Sequence, residues 1–453
     1  MSEYQSYTAY ASLWNKSFPS HWSVLPMYAL AKEKSICGCV DLPLLSVYLD
    51  VGVIPFSAKA EKRTNVTSKD LSKYQRVDCG DFVLNNQQAW RGSVGISFDT
   101  GIVSPAYIVL SMNDMLNSRY ANYLLRSRIM VDQYLINSKS VGSIQRNIYW
   151  PALKRASVPV PPREEQDQIV RFLNWKVSSI NKLIRIRKRQ IEELEAIKRS
   201  SIGYLVMGQA QSIPQRDTEV NWVKTIPAHW NEKTLIQVAE EQQIKNAGMV
   251  EDNLLSLSYG KIINKDINTA DGLLPSSFEG YQIVHDGNII LRLTDLQNDH
   301  KSLRTGLVTQ TGIITSAYTC LKVRHNILPE YLQLQLHVAD LCKVFYGMGG
   351  GVRQSIGFTE IRKLVIAIPP VEEQQYILDR VHGIEKPINC AIQNIRDIIA
   401  GLEDLKTRLI SDAVTGKIDV RGIEIPEYEF VDEDIDNADE NPEQGADEPP
   451  EEE

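Results

Sequence analysis

The 453-residue chain is 43% hydrophobic, enough apolar material for two or more cores and too much for one ordinary domain. Its formal charge of −8 is unevenly spread: fourteen Asp and Glu and no Lys or Arg lie between Glu427 and Glu453, which leaves 49 basic against 43 acidic residues before that point, a net of +6. The polar start MSEYQSYTAYASLW, the lack of a bilayer-length apolar run and six scattered cysteines are read as a cytoplasmic protein without leader, membrane span, disulfides or zinc site.

The first block, 1–162, mixes short strands with turn residues. DFVLNN, SVGISF and AYIVLSM have strand-like β-branched and aromatic content, punctuated by Gly92, Gly95 and Gly101. Asn117 to Gln133 is predicted as one helix, with apolar positions three and four apart. Pro161 and Pro162 then stop the chain, and Glu164 and Glu165 suit the N-terminus of a second helix by opposing its dipole. That helix, 163–208, carries an apolar seam through Ile180, Ile184, Ile191 and Leu194, with Arg and Glu on its other faces.

The third block, 209–370, repeats the strand order as GNIILRL, TGLVTQ, GIIT and AYTCLKV, followed by a helix over Leu328 to Val344. A fourth, 371–420, is again a long helix, with its seam at Ile388, Ile392, Ile399 and Leu402. Each long helix would extend roughly 65 Å at 1.5 Å per residue. Pro387 lies inside the second, where it removes a backbone donor and is expected to kink or interrupt it. The last block, 421–453, is acidic, rich in proline and expected to be disordered.

The blocks form two copies of one design. Trp14, Lys16, Pro19, His21 and Trp22 recur 208 positions later as Trp222, Lys224, Pro227, His229 and Trp230. PPREEQ from Pro161 recurs as PPVEEQ from Pro369, and Leu194, Lys198, Ile202 and Gly208 as Leu402, Lys406, Ile410 and Gly416. The frame is duplicated while the interior has diverged. The fold expected is α+β: two similar domains with largely antiparallel sheets, separated by two long antiparallel coiled-coil helices in a pseudo-twofold arrangement.

A mildly basic body suits a DNA-facing protein, and base edges are read by Arg, Lys, Asn and Gln offered from loops. Asn85, Asn86, Gln87, Gln88 and Arg91 form one such cluster, and Gln145, Arg146 and Asn147 a second. In the other copy the matching places hold Arg292, Gln297, Asn298, Lys301 and Arg304, then Arg353 and Gln354. An ordinary solvated loop is the competing reading for each. Arg185, Arg187, Lys188 and Arg189 give the first long helix a basic patch that could lie over phosphates or simply face water. Trp22 and Trp230 read as core, His21 and His229 as a duplicated structural turn.

A variable α+β domain ending in Pro-Pro-x-Glu-Glu-Gln and followed by a long helix, all of it twice, resembles the specificity subunits of type I restriction-modification systems. The segments SVGSIQRNIYWPALKRASVPVPPREEQ and GVRQSIGFTEIRKLVIAIPPVEEQ carry the likeness, which spans nearly everything but the acidic tail. The resemblance implies two target-recognition domains, each reading half of a bipartite double-stranded DNA target, with helices that set the spacing and dock two modification (methyltransferase) subunits. Restriction subunits would join these, and S-adenosylmethionine, ATP and Mg would belong to the partners, with no cofactor, metal or catalytic residue on this chain. Consistently, the sequence has no methyltransferase tetrapeptide, glycine-rich cofactor fingerprint or phosphate loop. Rival readings are a stand-alone methyltransferase or nuclease with a divergent site, the specificity subunit of a related non-type-I modification system, and a scaffold indifferent to DNA.

Overall fold

The computed structural model describes residues 3–10, 16–49, 51–58, 70–141, 145–210, 213–267, 277–296, 299, 303–348 and 356–432. Among the described residues two compact units result: residues up to 190 together with 394–432, and residues 191–393. The units therefore do not coincide with the consecutive blocks expected from the sequence, because each long helix contributes one end to each core.

Unit 1 contains Ser23–Pro26 (β1), Ala31–Lys34 (β2), Phe82–Asn85 (β3), Val94–Ile96 (β4) and Tyr107–Met112 (β5). Helices Ser118–Leu125 (α1) and Arg128–Ile136 (α2) follow, then the hairpin Ser138–Val141 (β6) and Gln145–Ile148 (β7), and Ser157–Val160 (β8). The chain then enters the long helix Arg163–Val206 (α3). The central sheet is antiparallel in the order β2-β5-β3-β4. Side chains alternate across a strand, so Phe82 and Leu84 enter the main core while Val83 enters a smaller one with Leu45 and Val47. The helix expected over 117–133 is broken at Ser127, which is extended (φ −69°, ψ 156°) and donates its hydroxyl to the Leu124 carbonyl at 2.6 Å.

Unit 2 repeats this plan with Asn231–Thr234 (β9), Ala239–Glu241 (β10), Ile289–Leu291 (β11), Thr305–Leu307 (β12) and Thr319–Val323 (β13). Pro329–Leu341 (α4), Val365–Ile368 (β14) and the second long helix Val371–Val414 (α5) complete it. Its sheet order, β10-β13-β11-β12, matches that of unit 1 strand for strand. Ile289 and Leu291 face one core and Ile290 another, the same alternation as in β3.

The repeated motifs turn out to be the joints of this frame. Within unit 1, His21 Nε2 lies 2.7 Å from Glu165 Oε2, Trp22 Nε1 donates to Glu165 Oε1 at 3.0 Å, and the Tyr4 hydroxyl donates to the same carboxylate. Gln166, buried, donates to the carbonyls of Pro161 (3.0 Å) and Met115 (2.9 Å) and accepts from the Asn117 amide at 2.7 Å. Asn117 in turn caps α1 by accepting from the amides of Arg119 and Tyr120. Unit 2 repeats the joint: His229 Nε2 is 2.7 Å from Glu373 Oε2, and Gln374 bonds the Pro369 carbonyl and the Leu328 amide. The Glu-Glu pair is thus more than a dipole complement, since its second member ties the His-Trp turn to the helix start.

The other ends of the long helices reach the same turns. Gly416 (φ +69°) packs against Pro19 and Trp22 in unit 1, and Gly208 (φ +67°) against Pro227 and Trp230 in unit 2. Only glycine adopts this left-handed geometry at such close range without cost. Ile169, Leu173, Ile180 and Ile184 of α3 share a core with Leu409, Ala413 and Val414 of α5. Ile202, Leu205 and Val206 of α3 share another with Ile377, Leu378 and Val381 of α5. Each unit therefore holds the start of one helix beside the end of the other, which is antiparallel pairing. Strand β1, just after the His-Trp turn, pairs antiparallel with β8, just before the Pro-Pro, as β9 does with β14, so domain and helix are locked in one geometry.

Two further expectations are corrected. α5 runs without interruption through Pro387. The residue four positions earlier, against whose carbonyl the ring would press, is the exposed Gly383, and Val381 and Ile392 are buried on either side. Nor is the whole 421–453 block an unattached tail: residues 421–432 lie on unit 1. Ile423 and Ile425 pack on the core and Val431 is buried. The Ser178 hydroxyl donates to the Glu429 carbonyl (2.9 Å) and accepts from the Val431 amide (2.6 Å), and Lys182 pairs with Glu429 at 3.0 Å. The apolar residues among the acids make the difference. Residues 433–453 lie outside the described residues.

Candidate nucleic-acid interface

In unit 1 the connection from β3 to β4, residues 86–93, carries the amide cluster, and the structure divides its members by task. The Asn85 side-chain oxygen accepts from the Gln87 amide at 3.2 Å, and that of Asn86 from the Ile148 amide at 2.8 Å. These oxygens hold the loop. The Gln88 carbonyl accepts from the amides of Arg91 and Ser93, and Gly92 (φ +110°) closes the turn. Trp90 Nε1 donates to the Gln87 carbonyl at 2.9 Å, and the Arg91 guanidinium lies 5.8 Å from the Trp90 ring centroid. Gln87 and Arg91 are exposed, while Asn85, Asn86 and Gln88 are half-buried.

Because Ile148 ends β7, the Asn86 bond sets this loop beside the β6–β7 hairpin and joins two clusters sixty residues apart in sequence. Within the hairpin Gln145, Arg146 and Asn147 pair with Val141, Ser140 and Lys139. Arg146 and Asn147 are half-buried. Lys139 escaped the sequence reading: its ammonium lies 3.5 Å from the Tyr149 ring centroid, a cation–π contact on the same hairpin. A lone lysine in a strand carries no motif that would have flagged it.

In unit 2 the matching connection, 292–304, is longer. Arg292 is half-buried with its guanidinium 4.0 Å from Asp299. Arg304, a candidate DNA contact in the sequence, is instead fully buried. Gln297, Asn298, Lys301, Arg353 and Gln354 lie outside the described residues.

Along the helix seams Ile180, Ile184 and Ile392 are buried, and Ile191, Leu194, Ile388, Ile399 and Leu402 half-buried. In the basic patch Arg185 and Arg189 are exposed, and Arg187 donates to Gln190 at 2.7 Å. Lys182, and more weakly Arg185, hold the Glu429 carboxyl below its usual range. The long helices also expose large apolar side chains: Leu183, Ile186, Ile398 and Leu405 in unit 1, and Ile197, Tyr204 and Tyr376 in unit 2. Among the described residues no group of three or more His, Cys, Asp or Glu could hold a metal ion, and no helix is long and apolar enough to cross a membrane.

Two like-built units with different loops at one topological position can be set beside known proteins. The family model described as the type I restriction modification DNA specificity domain matches residues 39–196 and 306–399, more than half of the chain. The chain belongs to this family. Two specificity subunits of type I restriction enzymes from Methanocaldococcus jannaschii are similar along most of their length. The MjaX subunit is 24% identical over 380 residues, covering 79% of this chain and 82% of its own. The MjaVIII subunit is 22% identical over 439 residues, covering 89% and 95%. In fold, the chain resembles one solved in a study of complex assembly and conformational transition of the type I R-M system, with a TM-score of 0.60 at 15% identity over 88% of this chain and 99% of that one. This is a type I specificity subunit, and its duplicated α+β units and paired long helices are the architecture expected of one.

Proposed function

We propose that each unit reads one half of a split double-stranded DNA target, while the paired ends of α3 and α5 set the gap and dock two modification subunits. One observation carries this reading. The two sheets have the same strand order, yet the connection after β3 is a short amide-bearing turn and that after β11 a longer, differently built loop. Equivalent positions with unlike side chains are what two unlike half-sites require. The exposed apolar residues of the long helices, on elements whose seams are buried or half-buried, supply surface for protein partners.

On this reading recognition belongs to the present chain. Adenine methylation, with its S-adenosylmethionine, belongs to the modification subunits, and ATP-driven, Mg-dependent cleavage to restriction subunits. Exchanging residues 80–150 for those of another such subunit and sequencing the methylated bases of the host tests it. The expected result is a change in one half of the methylated motif with the other half and the gap intact. A change in both halves would refute independent reading by the two units.

A further inference from the structure

The buried Arg304 is the least expected group in unit 2. A guanidinium presents five N–H donors in a rigid plane and stays charged, so it is rarely sealed from water unless those donors are satisfied. Here Nη1 donates to the carbonyls of Arg292 (3.2 Å) and Thr294 (2.7 Å). Nη2 donates to those of Asp295 (3.3 Å) and Asp299, and Nε to the Tyr346 hydroxyl at 3.0 Å. The Tyr346 hydroxyl itself donates to the Asp299 carbonyl at 3.1 Å. The backbone of Arg304 is fixed as well, its amide bonded to Asp340 and its carbonyl accepting from the Arg292 amide.

All four carbonyls belong to one loop. Among its described residues that loop passes through a left-handed residue, Asp295 (φ +55°), and buries Leu293 and Leu296. Its path is held from inside by the Arg304 side chain, together with backbone bonds from the Asp299 amide to the Asp295 carbonyl (3.2 Å) and from the Ile356 amide to the Leu293 carbonyl (3.0 Å). Unit 1 solves the same problem differently: the matching position is Ser93, and the short 86–93 turn closes through its own backbone and Asn86.

We infer that Arg304 is a positioning residue for specificity: it never touches DNA, but it sets the course of residues 292–296 and 299 and so the side chains unit 2 offers to its half-site. The inference rests on the half-site reading above. Lysine cannot replace it, because three donors on one nitrogen cannot span four carbonyls.

The test is methylated-base sequencing in cells carrying the whole chain with its modification subunits, comparing wild type, Arg304→Lys, Arg304→Gln and Tyr346→Phe. Tyr346→Phe keeps the ring and removes only the hydroxyl that braces Arg304 and Asp299. Both Arg304 variants should methylate sites altered in one half about five- to tenfold more often relative to the intact target, corresponding to the low end of one base-pair's discrimination. The half read by unit 1 should stay unchanged, and Tyr346→Phe should relax the same positions to a smaller degree. An unaltered motif in the Arg304 variants overturns the inference, as does equal loss of both halves. If the Arg304 variants fail to fold, an unaltered motif in Tyr346→Phe overturns it. An unsplit motif in the wild type would instead refute the half-site reading itself.

Discussion

Replacing Gly416 by alanine strains a joint of unit 1 in two computable ways. The residue sits at φ +69°, a left-handed conformation that costs an L-residue about 1–2 kcal/mol. The new Cβ would also lie 2.4 Å from Pro19 Cδ, 2.5 Å from its Cγ and 3.1 Å from Trp22 Cη2. Trp22 is buried, so neighbours must shift against a filled core, an overpacking penalty of about 1–3 kcal/mol. Together these give about 2–5 kcal/mol, a large part of the roughly 5–15 kcal/mol that stabilises a typical domain. Urea unfolding followed by tryptophan fluorescence should show a transition about 1–2.5 M earlier, taking a slope of about 2 kcal/mol/M. Hydrogen exchange should show the loss of protection in unit 1, around Pro19–Val24 and Ala413–Val420. Gly208→Ala is the counterpart in unit 2, with Pro227 carbons at 2.5 Å, and Gly422→Ala, with nothing within 4 Å, is the control. A Gly416→Ala midpoint equal to that of Gly422→Ala would refute the idea that these joints hold the frame.

Four other outcomes are expected. Gly401→Ala, exposed in the interior of α5 with open space around it, should stabilise the chain by about 1 kcal/mol in the same urea assay. Burial, and secondarily the Lys198 ammonium, lowers the His337 pKa to about 4. The unfolded chain binds this proton first, so stability present above about pH 6.5 is lost as pH falls towards 4, by about 3 kcal/mol at most; His337→Gln should flatten that slope in pH-dependent urea unfolding. Ending the chain at Pro426 rather than Asp432 removes buried Val431 and the Ser178 bonds and should destabilise unit 1 by about 1–3 kcal/mol, read as earlier melting. Burial pushes the Cys320 thiol up to about 12, so iodoacetamide at pH 8 should label exposed Cys37 and Cys79 and spare Cys320, as mass spectrometry would show.

The repeated motifs made the duplicated frame legible, because Pro-Pro, His-Trp and the helix-ending glycines each do one local job that leaves a fixed spacing. Strands such as β3 and β11 were legible for the same reason: an alternating apolar run between glycines admits few alternatives. The partners were not. That Glu165 serves His21 and Trp22, or Gln166 the start of α1, depends on contacts across more than forty residues, which no local pattern encodes. Arg304 shows the opposite failure. Its composition and place among polar neighbours suited a DNA contact, and only its burial reveals that its donors turn inward. The break at Ser127 and the docking of Val431 likewise depend on tertiary packing that overrides helical propensity and acidic composition.

The discontinuous makeup of unit 1 has a consequence for biosynthesis. Everything described in unit 2 is contiguous, so it is complete once residue 393 has left the ribosome. Unit 1 begins to emerge first yet finishes last, because the greasy face of Ile169, Leu173, Ile180 and Ile184 waits for Leu409, Ala413 and Val414. At roughly 5–20 residues per second that interval is tens of seconds, during which the older half of the nascent chain depends on chaperones, or on an arriving subunit, to keep an unfinished core from sticking elsewhere.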